Sequence, residues 1–202
     1  MPRRKPAPPP SGRLRQTIAS HAARLMAEEG IDDYGFAKRK AARALGASES
    51  EALPGNNEVE AELRAYQALF QEEEHPARLR ELRATALEIM ELLAPYRPYL
   101  TGPVLDGTAG RYAEVELELF ADSSKDVEIE LLSRDISYEN VAIRNNQPNS
   151  PEARLRLDWD DTPILLTIFP IAAERHLKRS PHSGQRHHRA TQSAVAAMLT
   201  TP

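Results

Sequence analysis

The 202-residue chain has no cysteine. That excludes disulfides, thiolate nucleophiles and cysteine-bound zinc, and it fits a reducing compartment. No apolar run approaches the roughly 18 residues that a membrane helix needs. The basic, proline-rich opening MPRRKPAPPPSGRLR also lacks the apolar stretch of a secretory signal. A soluble, cytoplasmic protein is expected, with no membrane partner and a disordered basic arm over residues 1–12. There is no G-x-x-x-x-G-K-[ST] phosphate loop and no G-x-S-x-G elbow, so P-loop and serine-hydrolase chemistry find no support. Nor is there a strong charge of one sign. The net charge of −4 argues neither for nor against nucleic acid.

What is present is enough to build a core: 41% of residues are apolar. Charge is unevenly placed. Residues 49–74 hold eight glutamates against Arg64 alone. Residues 175–189 hold Arg175, Lys178, Arg179, Arg186, Arg189 and four histidines without an acid. The acidic block reads as solvated surface. The segment with His182, His187 and His188 reads as a flexible basic loop, since nothing there fixes a closed metal geometry.

The first half has helical periodicity. Leu14, Ile18, Ala22, Leu25 and Met26 form one stripe ending at Gly30. Tyr34, Ala37, Ala41 and Leu45 form a second, ending at Gly46. After an ALPGNN turn, Val59, Leu63, Tyr66 and Phe70 make a third. Leu79, Leu82, Ala86, Ile89, Met90 and Leu93 make a fourth, stopped by Pro95 and Pro98. The period then changes. YLTGPVL is short and apolar, with a strand expected over 99–105. EVELELF alternates strictly. SSKDVEIELLSRD is ambiguous, but Ser123 or Ser124 can cap a helix there and Val127 and Leu131 would face one way. YENVAIR looks like a strand, and ARLRLDWDDTPILLTIFP like a hairpin around DDTP. Leu155, Leu157, Trp159, Leu166 and Ile168 are core candidates. A last helix is expected over roughly 189–200. The order gives an α+β class, a mixed sheet packed on helices. The division expected is an N-terminal helical module over 13–94 and a sheet domain over 95–202.

In TGPVLDGTAGRYAEVELELF, Glu114, Glu116 and Glu118 recur every second residue. Such alternation can be simply the wet face of a strand. It is also the placement a metal site requires, because acids at i and i+2 share a face about 6–7 Å apart along it. The stretch resembles the signature of the nucleotidyltransferase superfamily that includes DNA polymerase β and the minimal nucleotidyltransferases. There a glycine–serine pair ends a strand, a second glycine follows, and an Asp–hydrophobic–Asp triplet opens the next strand. Gly102 and Gly107 fall on the two glycines, and Glu114–Val115–Glu116 on the triplet. The motif spans about twenty residues, and the order of elements matches over roughly residues 86–170.

The resemblance implies a nucleotidyltransferase-like fold and transfer of a nucleotidyl group from a Mg²⁺-bound nucleoside triphosphate to an unknown acceptor. It assigns Glu114 and Glu116 as catalytic metal ligands, and Gly102, Gly107 and Thr108 to the phosphate turn. The sequence departs from the pattern in three ways. Pro103 replaces the serine and supplies neither N–H nor hydroxyl. Both aspartates are glutamates, whose carboxylates sit about 1.5 Å further out, where such sites tolerate about 0.5 Å. Leu165 falls where the third acid belongs, with Asp158 or Asp160 across the hairpin as substitutes. The alternative reading is therefore a catalytically inactive nucleotide- or partner-binding member.

The stretch IASHAARLMAEEGIDDYGFAKRKAARALGASESEAL is similar to the opening of helix-turn-helix repressors, so a DNA- or RNA-binding regulator is the second alternative. Its would-be recognition helix carries Glu49 and Glu51 and no cation, which disfavours reading DNA. Lys38, Arg39, Lys40 and Arg43 read as a solvated helix face rather than a phosphate contact.

Overall fold

The computed structural model describes residues 11–31, 33–47, 53–70, 74–110, 112–143, 150–175 and 188–200. Residues 1–10 of the basic arm expected over 1–12, residues 48–52 of the would-be recognition helix and residues 176–187 of the histidine segment lie outside the described residues, whereas Ser11 and Gly12 belong to a helix and His188 lies beside Asp106, Nδ1 to Oδ1 2.8 Å. The chain divides into two compact units, 1–72 and 73–202. No described helix is long and apolar enough to cross a membrane.

The first unit is helical: α1 (Ser11–Glu29), α2 (Tyr34–Ala44) and α3 (Asn56–Phe70). Its core joins Ile18, Ala22 and Met26 of α1 to Ala37 and Ala41 of α2 and to Val59 and Leu63 of α3. These follow the three stripes expected from the sequence, except that Leu45 and Phe70, at the ends of the second and third, are exposed. Asp33 caps α2 by accepting from the Phe36 N–H, a donor the helix cannot satisfy internally. Glu58 closes the start of α3 by accepting from the Gly55 N–H at 2.6 Å, and Arg15 of α1 grips the same carboxylate through Nε at 2.9 and 3.1 Å. Lys38 donates to Asn56 Oδ1 at 2.7 Å and Lys40 to Glu29. Two of the four clustered cations thus serve contacts within the unit.

The second unit is a mixed six-stranded sheet in the order β3-β4-β5-β2-β1-β6. The strands are β1 (Tyr99–Thr101), β2 (Val115–Ala121), β3 (Glu139–Asn140), β4 (Ala153–Trp159), β5 (Thr162–Pro170) and β6 (Ala190–Thr191). Only β2 and β5 run parallel, and every other pair is antiparallel. The helices are α4 (Glu74–Leu92), α5 (Gly102–Asp106), α6 (Ser124–Ser133) and α7 (Gln192–Thr200). Parallel strands need a long crossover, and α6 lies within it, capped by the Ser123 side chain accepting from Lys125 N–H. The expected hairpin is β4–β5. It turns on Asp160 and Asp161, both at positive φ (47° and 60°), the geometry of a two-residue type I′ turn.

One face of the sheet is the core. Val115, Leu117 and Leu119 of β2, Leu155 and Leu157 of β4, and Ile164, Leu166 and Ile168 of β5 bury there with residues from all four helices. Trp159 packs at the edge of this core, half-buried, and donates to Glu88 Oε2 at 3.2 Å. Helix α4, which its sequence position groups with the preceding helices, supplies Leu82, Ala86, Ile89, Met90 and Leu93 to the same core.

Three local expectations need correction. Residues 99–105 are not one strand: β1 stops at Thr101 and α5 begins at Gly102. Gly102, at φ +70°, turns the chain out of the sheet. Pro103 sits in the first helical turn, where a missing N–H costs nothing. Of YENVAIR, only Glu139–Asn140 is strand, extended by a bond from Val141 N–H to Arg154 O. The last helix starts at Gln192, because Ala190 and Thr191 pair with β1.

Candidate functional site

The alternation of β2 sends Val115, Leu117 and Leu119 into the core, so Glu116 and Glu118 share the opposite face. Glu114, immediately ahead of the strand, continues their alternation. Register fixes the neighbours. Glu116 pairs with Thr101 of β1 and Leu165 of β5, and Glu118 with Tyr99 and Thr167. Beyond β5, Arg156 lies opposite Leu165 and Arg154 opposite Thr167. The arginines of ARLRLDW therefore stand on the same face as the glutamates of EVELELF.

Two sequence-assigned residues meet directly. A Cβ built on Gly102 would lie 2.7 Å from Cδ of Glu116 and 2.9 Å from each carboxylate oxygen. The carboxylate occupies the space that a side chain at position 102 would need. Glycine is favoured there by its positive φ, and a Cβ would in addition push the end of the Glu116 side chain aside. The acid of β2 thus lies against the turn that follows β1.

Gly107 and Thr108 lie elsewhere. Gly107 ends α5 at φ +78°, and a Cβ there would meet Arg83 and Leu79 of α4 at 3.8 Å. Its N–H and that of Thr108 both point to Pro103 O, so these donors serve the helix end. Arg83 caps the same end, donating from Nε to Val104 O at 3.1 Å and from Nη2 to Leu105 O at 3.2 Å. Burial pushes the Arg83 guanidinium below its ordinary pKa. Burial likewise lowers His75, against the opposing effect of its bond to the Ala109 backbone.

Glu114 already has a cation. Its Oε1 lies 2.9 Å from Nε of Arg156, with side-chain exposures of 26% and 47%. Sequence reading missed this partner. Period-two arginines on one strand and period-two glutamates on another were legible separately, but the strand order that joins them was not. Glu118 is the most enclosed of the three acids, at 6% exposure. Leu165, beside Glu116, is 5% exposed and apolar. Asp158 pairs with Pro163, two strands from the line of β2 and so roughly 10 Å from it at the backbone. Its Oδ1 accepts from the Asp161 N–H.

Further along this face Phe120 and Phe169 stack, with Tyr99 edge-on to Phe120. The Arg189 guanidinium lies 4.4 Å from the Tyr99 ring centre, a cation–π contact, and donates to Glu174 O. Tyr99 and Arg97 both donate to the Glu174 carboxylate, at 2.8 and 2.7 Å. Burial raises the Glu174 pKa, but these two bonds outweigh it and the group sits below its usual value.

Mg²⁺ is the ion that the resemblance implies, and two-cation catalysis needs carboxylates converging from neighbouring strands. Here Leu165 stands at the neighbouring position, and Arg156 occupies one of the two assigned acids. Among the described residues, no three His, Asp or Glu side chains converge on a point that could hold a metal. The residues do not fit a two-cation centre. Among the described residues, two shallow, open hollows, around Thr191–Ser193 and around Asp158–Asp160, contain neither Glu114 nor Glu116. The expected cleft mouth at this pair is therefore not one of them. No protein-family model matches the chain, and no curated protein matches it.

Proposed function

We propose that the chain is a nucleotidyltransferase-like protein that keeps the layout of a nucleotidyl-transfer site but binds rather than transfers. Its ligand class is a nucleoside triphosphate carrying a divalent cation, bound weakly at Glu114 and Glu116. The observation that carries this reading is the seating of the Glu116 carboxylate against Gly102. The resemblance rests on a turn glycine and a strand acid that are fourteen residues apart in sequence, and these two residues are in contact. The antiparallel β1–β2 and parallel β2–β5 pairings also support it, because they set an acid of β2 between the turn strand and the strand due to carry a third acid. Leu165 and Arg156 argue for binding over transfer: one removes a metal ligand and the other occupies a second.

The regulator reading is less well supported, because Lys38 and Lys40 are engaged within their own unit.

Thermal unfolding with ATP, with and without Mn²⁺, tests the proposal. A site filled at a hundredfold excess over Kd adds about 2.7 kcal/mol of stability, and a weak site adds less at attainable concentrations. A small Mn²⁺-dependent rise is expected in wild type and none in E114Q/E116Q, which removes charge while nearly keeping shape. An equal rise in both proteins would refute the assignment.

A further inference from the structure

We propose that His75 is an acid-sensitive latch: while neutral it holds the first turns of α4 against the 107–110 loop, and its protonation releases them. The inference is independent of any role for Glu114 and Glu116.

The surroundings of the ring suit a neutral imidazole and reject a charged one. His75 is the second residue of α4. Its Nε2 is buried and has no hydrogen-bond partner, while the ring is bonded to the backbone of Ala109, itself buried. The helix and the loop meet closely here, since a Cβ on Gly107 would lie 3.8 Å from both Leu79 and Arg83. An imidazolium carries an N–H on both ring nitrogens. One of them would then be a buried donor without an acceptor, which costs more than an unused lone pair. A positive charge in the first turn also opposes the helix dipole.

Neighbouring charges do not compensate. Among the described residues, the charged side chain that acts on the ring is Arg83, of the same sign as an imidazolium. Arg83 is held in place by its bonds to Val104 O and Leu105 O. Residues 107–110 carry no titratable side chain. Asp106, at the end of α5, lies against His188, and on α4 Arg78 pairs with Glu81. Burial holds the ring below its ordinary 6.5, the Ala109 bond works against burial, and Arg83 adds to it. A base with a lowered folded-state pKa binds its proton more readily once released. The contact is therefore at full strength above 6.5 and weakens as pH falls below it. Release stays local, because the core residues of α4 begin at Leu82.

Hydrogen exchange on the full chain tests this, with the amide protection of residues 78–83 corrected for intrinsic rates at about pH 7.5 and about pH 5.5. In wild type that protection is expected to fall roughly three- to tenfold over the interval, and protection in β2 to fall far less. H75Q and H75F cannot take up the proton and should show no such fall. The ring signals of His75 in nuclear magnetic resonance should titrate at lower pH than in the urea-unfolded chain. No fall in wild type, a fall that persists in both variants, an equal loss throughout the sheet unit, or a ring that titrates as in the unfolded chain overturns the proposal. Circular dichroism melts identify any variant that has lost its fold, and if neither variant folds the wild-type exchange and ring titration decide.

Discussion

Position 102 concentrates the constraints on the site. An alanine there needs φ +70° and a Cβ within 3 Å of three Glu116 atoms. The left-handed conformation alone costs about 1–2 kcal/mol, and the carboxylate must move as well. G102A is therefore expected to lower stability by more than G107A, which has the same backbone penalty but no atom closer than 3.8 Å. Chemical denaturation checks this, and a double-mutant cycle refines it. In an E116A background the clash term vanishes, so G102A should cost no more than the backbone term. Equal costs for G102A in both backgrounds would mean that the contact with Glu116 does not constrain the site.

At the scale of elements, the Arg15–Glu58–Gly55 junction ties α1 to the start of α3. The side-chain bond from Arg15, then the backbone bond from Gly55, holds the Glu58 carboxyl at about 2, against its ordinary 4.5. A lowered folded-state pKa stabilises above the unfolded value and loses that stability as pH falls. The contribution of Glu58 is complete above pH 4.5 and is lost as pH falls toward 2. The pair is partly exposed, so solvent screening keeps its worth at neutral pH small. E58Q is expected to melt slightly lower than wild type at neutral pH, with the two midpoints converging toward pH 2. A constant difference across that range would count against the ion pair.

Elements also show what the sequence made legible. The stripes of α1 to α4, the Ser123 cap and the β4–β5 hairpin each carry a local signal: helical period, capping chemistry or alternation around a polar turn. Alternation in β2 was equally plain. GPVLD was not. Five residues are too few to show a period, and a proline after a glycine reads as a turn or an extended segment. The two-residue strands β3 and β6 exist through their partners, β4 and β1, rather than through any pattern of their own. The site divides in the same way. Gly102 and Glu116 could be paired from spacing, because the turn and strand adjoin in sequence. Arg156 could not, because its place beside Glu114 follows from the parallel β2–β5 pairing. Nor did sequence show that the Gly107 and Thr108 N–H groups are consumed at the end of α5.

For the whole molecule, the division at 72/73 has a testable consequence. The sheet unit has its own core, drawn from α4 to α7 and from the inner faces of β2, β4 and β5, and a unit with its own core can fold alone. A fragment covering residues 73–202 is expected to unfold cooperatively, whereas one starting at residue 95 loses the five buried residues of α4 and its end, Leu82, Ala86, Ile89, Met90 and Leu93, and should not. Gradual melting of the longer fragment would show that its core depends on residues 1–72.

The central claim is that Leu165 stands where the layout requires a third acid beside Glu116, and a gain-of-function substitution tests it most directly. In L165D a carboxylate replaces a side chain that is 5% exposed. Arg156 stands opposite position 165 and would pair with the new acid, so wild type and variants are compared in an R156A background, where L165D without metal should lose about 2–4 kcal/mol through desolvation and repulsion by Glu116. Thermal midpoints measured in EDTA and in Mn²⁺ give the answer. Mn²⁺ is expected to restore much of the lost stability in L165D, to have little effect on wild type, and to have no extra effect in L165D/E116Q. If Mn²⁺ raises the midpoint of L165D no more than that of wild type, the site does not have a nucleotidyl-transfer layout.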